Sequence, residues 1–304
     1  MKSERQSDGL NHVPVLPEET MRLLQPCSGE VWADVTTGLG GHSKLIAERI
    51  GPEGQLICLD QDRSMLEQAR ENIKPHSARF FPTSFDTLDV VVKDELKLEG
   101  LDGILADLGY CSAQMDDPAR GLSFQKNGPL DMRLNPEDGI PASELVNRRT
   151  ERELADLFWQ FGEERFSFRI ARRIVAERKK QPIDTTEHLA QLVQSCVPRP
   201  KNRYGSIHPA TRVFQALRIA VNDELGALQR FLSILPMCLK PGGRVGIISF
   251  HSLEDRPVKQ AFRNRDVWEE VTRKPVQAGE EEVRHNSRSR SAKLRVAKFQ
   301  AVSG

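Results

Sequence analysis

No two cysteines in this chain of 304 residues form a CxxC pair; the five, Cys27, Cys58, Cys111, Cys196 and Cys238, are scattered. That argues against a zinc site and against a disulfide framework, so no metal is expected and a reducing cytoplasm is. No uncharged apolar run approaches the roughly 18–20 residues a membrane span needs. The opening MKSERQSDGLNH is polar and lacks the apolar centre of a signal peptide. Net charge is only +1, so the overall balance demands no polyanionic partner. Charged residues at 29% and hydrophobic ones at 38% are ordinary for a globular protein with room for one large domain or two smaller ones.

The charge that is present is unevenly spread. Between Pro198 and Asn222 there is no acid, but Arg199, Lys201, Arg203, Arg212 and Arg218 occur. Between Arg284 and Lys298 six basic residues stand without an acid. Local basic patches on a neutral chain are compatible with nucleic-acid binding, and equally with solvated helix faces.

Apolar runs of strand length recur at VWADV (31–35), QLICLD (55–60), ARFFP (78–82), LDGILADL (101–108) and GRVGIISF, which ends near Phe250. Gly/Pro turns precede the second and fifth runs, and helical segments separate the strands. The pattern predicts an α/β fold with a parallel sheet covered on both faces. WEEVTRKPV (268–276) and SAKLRVAKF (291–299) are close enough to form an antiparallel pair at its edge. From 116 to 210 helical periodicity replaces strands, which predicts an inserted helical domain, with 1–115 and 211–304 forming the sheet domain. One helix is expected through 208–236, and Phe158, Trp159 and Phe161 read as core.

DVTTGLGGHS (34–43) follows the first strand. The dinucleotide pattern GxGxxG fails because Ser43 stands where its third glycine belongs, and the Walker pattern fails for want of its lysine. Asp34, Thr36, Gly38 and Gly40 instead keep the acid-x-Gly-x-Gly-x-Gly rhythm of an S-adenosylmethionine loop, with Thr in the first glycine position. Asp60 ends the second strand, where an acid can accept hydrogen bonds from ribose hydroxyls. Loop and acid together favour a nucleoside ligand, with NAD and S-adenosylmethionine both open at this level.

Longer motifs narrow the choice. HVPVLPEE (12–19), DVTTGLGGHS, DLGYCSAQMDDPARGLSF (107–124), GPLDMR (128–133), FGEERFSFRIARRIV (161–175), HPATRVFQALRIAVNDEL (208–225), GGRVGIISFHSLEDRPVK (242–259) and RSRSAKLR (288–295) occur in order. Together they resemble the bacterial 16S rRNA (cytosine-N(4))-methyltransferase family, also called MraW, through nearly the whole chain. The resemblance implies a Rossmann-like, seven-stranded class I methyltransferase sheet with an inserted helical substrate-recognition domain. It implies S-adenosyl-L-methionine as cofactor and 16S rRNA of the small ribosomal subunit as partner. The modified group would be the exocyclic N4 amine of the decoding-centre cytidine at position 1402. It also implies that Gly40, Gly41, His42, Asp60, Phe85, Asp107 and Gln114 line the cofactor site. The family commonly has DLGVSS where this chain has DLGYCS, and it usually has an apolar residue where Pro17 stands.

Methylating cytosine's amine requires acceptors that hold the amine hydrogens and aim the lone pair, on an unpaired or flipped base. Asp107, at the end of the fourth strand, is a candidate for that task or for contact with the cofactor alone. His251, just past the fifth strand, could orient the base, or merely cap the next helix. Tyr110 could stack on the cytosine or fill space. Asp131 and Arg133 could reach the substrate or form a salt bridge. Arg165, Arg169, Arg172 and Arg173 share a helical face that would bind phosphate in an RNA enzyme, together with Arg199, Lys201 and Arg203. DLGY shares its spacing with DNA amino-methyltransferases, but the insertion and HSLEDR oppose DNA as substrate. A non-catalytic assembly factor and an NAD dehydrogenase are the weaker alternatives. No membrane partner is expected, and a homodimer stays open.

Overall fold

The computed structural model describes residues 14–198 and 208–300. The chain divides into two compact units, Met1–Cys111 with Gln229–Gly304, and Ser112–Leu228.

The first unit is built on a seven-stranded sheet. Its strands are β1 (Val31–Asp34), β2 (Gln55–Leu59), β3 (Ala78–Phe81), β4 (Leu101–Asp107), β5 (Leu239–Ser249), β6 (Trp268–Glu270) and β7 (Lys293–Phe299), in the order β3-β2-β1-β4-β5-β7-β6. β1 to β5 run parallel, while β7 is antiparallel to both β5 and β6. This is the Rossmann-like α/β sheet expected from the sequence, edge pair included. Helices α1 (Pro17–Leu24), α2 (Gly41–Ile50), α3 (Arg63–Ile73) and α4 (Leu88–Val90) lie between or before its first four strands. Trp32, Ile46, Leu56, Leu66, Ile73, Leu105, Ile248 and Leu294 are buried in one core. Such continuous apolar strands follow from burial of the sheet on both faces.

The second unit is helical: α5 (Ser112–Asp116), α6 (Ala142–Arg148), α7 (Glu151–Gly162), α8 (Ser167–Glu177), α9 (Thr186–Cys196) and α10 (Ala210–Val221). Thr150 and Glu153 close a capping box at the start of α7, and the Thr185 side chain caps α9. Leu154, Phe158, Ile170, Ile174, Leu189, Val193, Val213 and Leu217 form its core. Helix α11 (Glu224–Cys238) spans the boundary, and α12 (Ser252–Phe262) and α13 (Glu280–His285) return to the first unit. Among the described residues no helix is long and apolar enough to cross a membrane.

Four local expectations are corrected. The single helix over 208–236 is broken into α10 and α11, because Asp223 takes the left-handed φ of 48°. Asn222 holds the break, its amide donating to the Met132 and Arg218 carbonyls while its Oδ1 accepts from the Leu134 N–H. Pro241-Gly242-Gly243 is no turn before β5. It is a bulge within it, where the register with β4 shifts between Leu101 and Gly103. The strand at 268–276 shrinks to three residues plus an isolated bridge from Val276 to Leu294. Trp159 is not core: it is 60% exposed, whereas Phe158 is fully buried and Phe161 half-buried.

Candidate active site

Strand order reverses between β1 and β4, and in open α/β sheets ligands bind beyond the carboxyl ends of strands at such a point. DVTTGLGGHS leaves β1 there and DLGYCS leaves β4 beside it. A short hydrogen bond joins them, the Asp107 N–H donating to Thr36 Oγ1 at 2.6 Å.

The buried Asp34 ends β1. Its carboxylate accepts from the Ser43 hydroxyl at 2.6 Å and from the Thr36 N–H at 3.3 Å. Burial pushes its pKa up to about 6 against those bonds. The serine at the position of a third dinucleotide glycine therefore has a task of its own: its hydroxyl satisfies a buried acid. Gly40 caps α2 with a φ of 84°, a conformation costly for any residue with a Cβ. Gly41 starts the helix, close against Pro14.

Asp60 lies directly past β2. Gly38 N–H donates to its Oδ2 at 2.8 Å and Asp62 N–H to its Oδ1 at 2.9 Å, so the loop itself fixes the carboxylate's orientation. Phe85 follows β3 in a short 3-10 turn, half-buried, with its ring edge-on to Phe231 at 5.2 Å. An oriented carboxylate, a glycine-bent helix start and a part-exposed aromatic ring at one sheet edge suit the diol, main chain and base of a nucleoside ligand.

Asp107 ends β4. Its Oδ1 accepts from the Gly109 N–H at 2.9 Å, and its Oδ2 lies 3.7 Å from Nε2 of the buried His42. Burial raises its pKa to about 7, and the negative charges of Asp34 and Glu254 add to the rise. Gly109 is required next to it, since a Cβ there would stand 2.5 Å from the Phe250 ring. Tyr110 is half-buried, and Cys111 is buried beside Gly38.

β5 runs parallel to β4, with Ile248 opposite Asp107, so His251 emerges at the same sheet edge as the loop after β1. His251 is the N-cap of α12. The buried Glu254 reaches back to accept from the Phe250 N–H at 2.7 Å and the His251 N–H at 3.3 Å. Its Oε1 lies 3.1 Å from His251 Nε2, so one carboxylate closes the helix start and faces the imidazole.

Gln114 is buried in α5 of the helical unit. Asp131 and Arg133 grip each other: the guanidinium donates twice, at 2.8 Å each, and the Arg133 N–H once more at 3.0 Å. The pairing holds the Asp131 carboxyl below its ordinary pKa despite partial burial. Arg169, Arg172 and Arg173 are all exposed on α8, with Arg172 paired to Glu151 and Arg173 to Glu177. Arg165 precedes the helix. Arg199, Lys201 and Arg203 lie outside the described residues. Sequence reasoning missed the Thr36 bridge, the Ser43–Asp34 bond and the burial of Glu254. The signal for the last was legible: an acid three residues after the N-cap.

The model of the MraW methylase family matches residues 9–300. The chain is 51% identical over 289 residues to ribosomal RNA small subunit methyltransferase H of Acaryochloris marina, covering 94% of each. To the protein of the same name from a Nostoc species it is 47% identical over 296 residues, covering 97% of this chain and 94% of that one. To that of Koribacter versatilis it is 48% identical over 305 residues, covering 97% and 96%.

Proposed function

This chain belongs to the MraW methylase family, and from that premise we propose that it methylates small-subunit ribosomal RNA with S-adenosyl-L-methionine, at the N4 amine of the decoding-centre cytidine 1402. The observation that carries the reading is the juxtaposition, at one sheet edge, of a loop-oriented Asp60 with an Asp107 whose pKa of about 7 suits proton acceptance near neutrality.

S-adenosyl-L-methionine, when bound, supplies an electrophilic methyl group. Gly40, Gly41, His42, Asp60 and Phe85 are the residues proposed to hold it, Asp60 through the ribose hydroxyls and Phe85 through the adenine. Asp107 accepts a hydrogen of the cytosine amine, which draws the nitrogen lone pair out of conjugation and takes the proton released on methylation. His42, 3.7 Å away, is placed to stabilise the ionised form of that carboxyl when protonated. His251 contacts the incoming base, its imidazole held by Glu254. The sheet unit thus carries the cofactor and the chemistry, and the helical unit recognises the RNA.

The test is to incubate the protein with labelled S-adenosyl-L-methionine and 16S rRNA, free and in 30S subunits, and to map the modified nucleotide. Label on the N4 of cytidine 1402 is the expected result, and label on another nucleotide or none overturns the reading.

A further inference from the structure

Helices α7 and α8 form an antiparallel hairpin. The tight turn 163–166 joins them, and the Arg172–Glu151 ion pair at 3.4 Å ties the middle of α8 back to the start of α7. Their inward stripes are Leu154, Phe158 and Ile170, Ala171, Ile174, all buried. The outward side of the turn end is unusual. Trp159, in the last turn of α7, and Phe168, in the first turn of α8, are each 60% exposed. Among the described residues these are the large aromatics left most open to water.

Cations flank Phe168 in the chain. Arg165 and Arg169 are exposed and, among the described residues, take part in no ion pair, unlike Arg172 and Arg173 further along the helix. Arg212 from α10 is anchored at the same end, donating to the Glu163 carbonyl at 3.1 Å. The acid Glu164 is turned inward and occupied by the Phe166 N–H at 2.8 Å.

We propose that the turn end of the α7–α8 hairpin is a stacking platform for unpaired RNA, with Trp159 and Phe168 receiving bases and Arg165 and Arg169 the flanking phosphates. Exposed rings interleaved with unpaired cations are what sequence-tolerant binding of a single strand needs: every base offers a π-face and every linkage a negative charge. A second protein copy is the weaker fit. Two aromatic side chains, of about 150–250 Å² each when whole, fall far short of the roughly 1,200 Å² of a stable interface. Arg165 and Arg169 would also meet their own copies. The platform rests on the rRNA reading above and adds to it a place and a mode of contact away from the reacting base.

Trp159 makes the test direct, because the other two tryptophans, Trp32 and Trp268, are buried. A short oligouridylate, which has no cytosine to enter the active site, should quench the protein's fluorescence saturably, and Trp159→Phe should largely abolish the quench. Trp159→Ala/Phe168→Ala should weaken oligouridylate binding by about tenfold or more while leaving its salt dependence unchanged, as lost stacking does. Arg165→Ala/Arg169→Ala should flatten the log–log salt slope by roughly 1.4, about 0.7 for each phosphate contact to a single strand. All four side chains are exposed, so the melting temperature should stay at the wild-type value, which checks folding. Absence of quenching in the wild type overturns the platform. So does wild-type affinity in the aromatic variant, including the case in which that variant converts a dimer to a monomer in sedimentation. Labelled methyl transfer to 30S subunits, run alongside, separates the two readings. Quenching without methylation supports the platform and sinks the methyltransferase reading, and methylation without quenching does the reverse.

Discussion

The sheet unit and the helical unit handle charge in opposite ways. At the edge of the sheet Asp34 and Glu254 are buried and Asp107 is largely so, and the two aspartates are pushed to pKa values of about 6 and about 7. On the α7–α8 hairpin the arginines stay in water, and among the described residues Arg165 and Arg169 at the turn end take part in no ion pair. A buried acid gains the ability to exchange protons near neutrality because its charged form has lost its hydration. A solvated guanidinium keeps its charge at every accessible pH and acts only through screened attraction to an anion. The contrast makes a practical distinction: the first unit should respond to pH, the second to salt.

The sharpest way to break this contrast is Asp107→Asn, which keeps the shape and removes the basic oxygen. Methyl transfer should fall about 10²–10⁴-fold, the range for a lost general base. In the wild type the rate should climb as pH rises through about 7, where Asp107 ionises, and that rise should be absent from the residual activity of the variant. A variant that keeps the inflection would move the titrating group elsewhere.

His251→Ala should cost less, about 10²-fold in turnover, with affinity for S-adenosyl-L-methionine nearly intact, because the proposed contact is to the base. Calorimetry paired with single-turnover rates tells this from a cap, whose loss would lower the melting temperature and leave the rate unchanged.

Asp60→Ala should weaken cofactor binding by about 1.5–3 kcal/mol, the size of hydrogen bonds to a charged group. Unchanged affinity in calorimetry would sink the ribose assignment, even though the Gly38 and Asp62 N–H bonds would also be gone.

On the other side of the comparison, replacing Arg169, Arg172 and Arg173 with Ala should flatten the salt dependence of RNA binding and leave cofactor affinity alone. Arg169 should account for roughly 0.7 of the slope, and Arg172 and Arg173 for less each, because Glu151 and Glu177 compete with the phosphate. Equal effects from all three single variants would show that those ion pairs do not persist in solution.

The smallest effect concerns stability. Asp34 and Asp107 hold a proton more tightly folded than unfolded, so folding takes up protons between the unfolded value of 3.8 and the folded values of about 6 and about 7. Stability should be greatest below that window and decline as pH rises through it. Thermal melts of Asp34→Asn against the wild type should converge at the acid end, separate as pH rises from about 3.8 to about 6 and run parallel above that, with the variant losing less.

Period, punctuation and motif were enough to read the sheet, its parallel core, its antiparallel edge pair and the helical segment. Burial on both faces leaves an unbroken apolar run in a strand, and burial on one face marks every third to fourth residue of a helix. The glycine loop and its acid were legible for a similar reason: a left-handed turn and an isolated strand-end carboxylate are local demands. Trp159 was misread because an aromatic ring beside Phe158 looks like core until the helix is set against its neighbours. Facing is a property of the packed pair, not of either helix. The break at Asp223 was hidden likewise, since Asn222 holds it by reaching the Met132 and Leu134 backbones, 90 and 88 residues away in sequence.

By itself, then, the sequence determined the order of elements, the family and the set of polar side chains available at the sheet edge. Only the tertiary structure decided what those side chains are. Asp34, Asp107 and Glu254 are ordinary acids until the ends of β1, β4 and β5 are brought together and water is removed. Arg172 of α8 finds its partner Glu151 only once α7 lies alongside, whereas Arg173 pairs with Glu177 of its own helix. Both decisions depend on hydration and on partners distant in the chain, and neither is written in the spacing of residues along it.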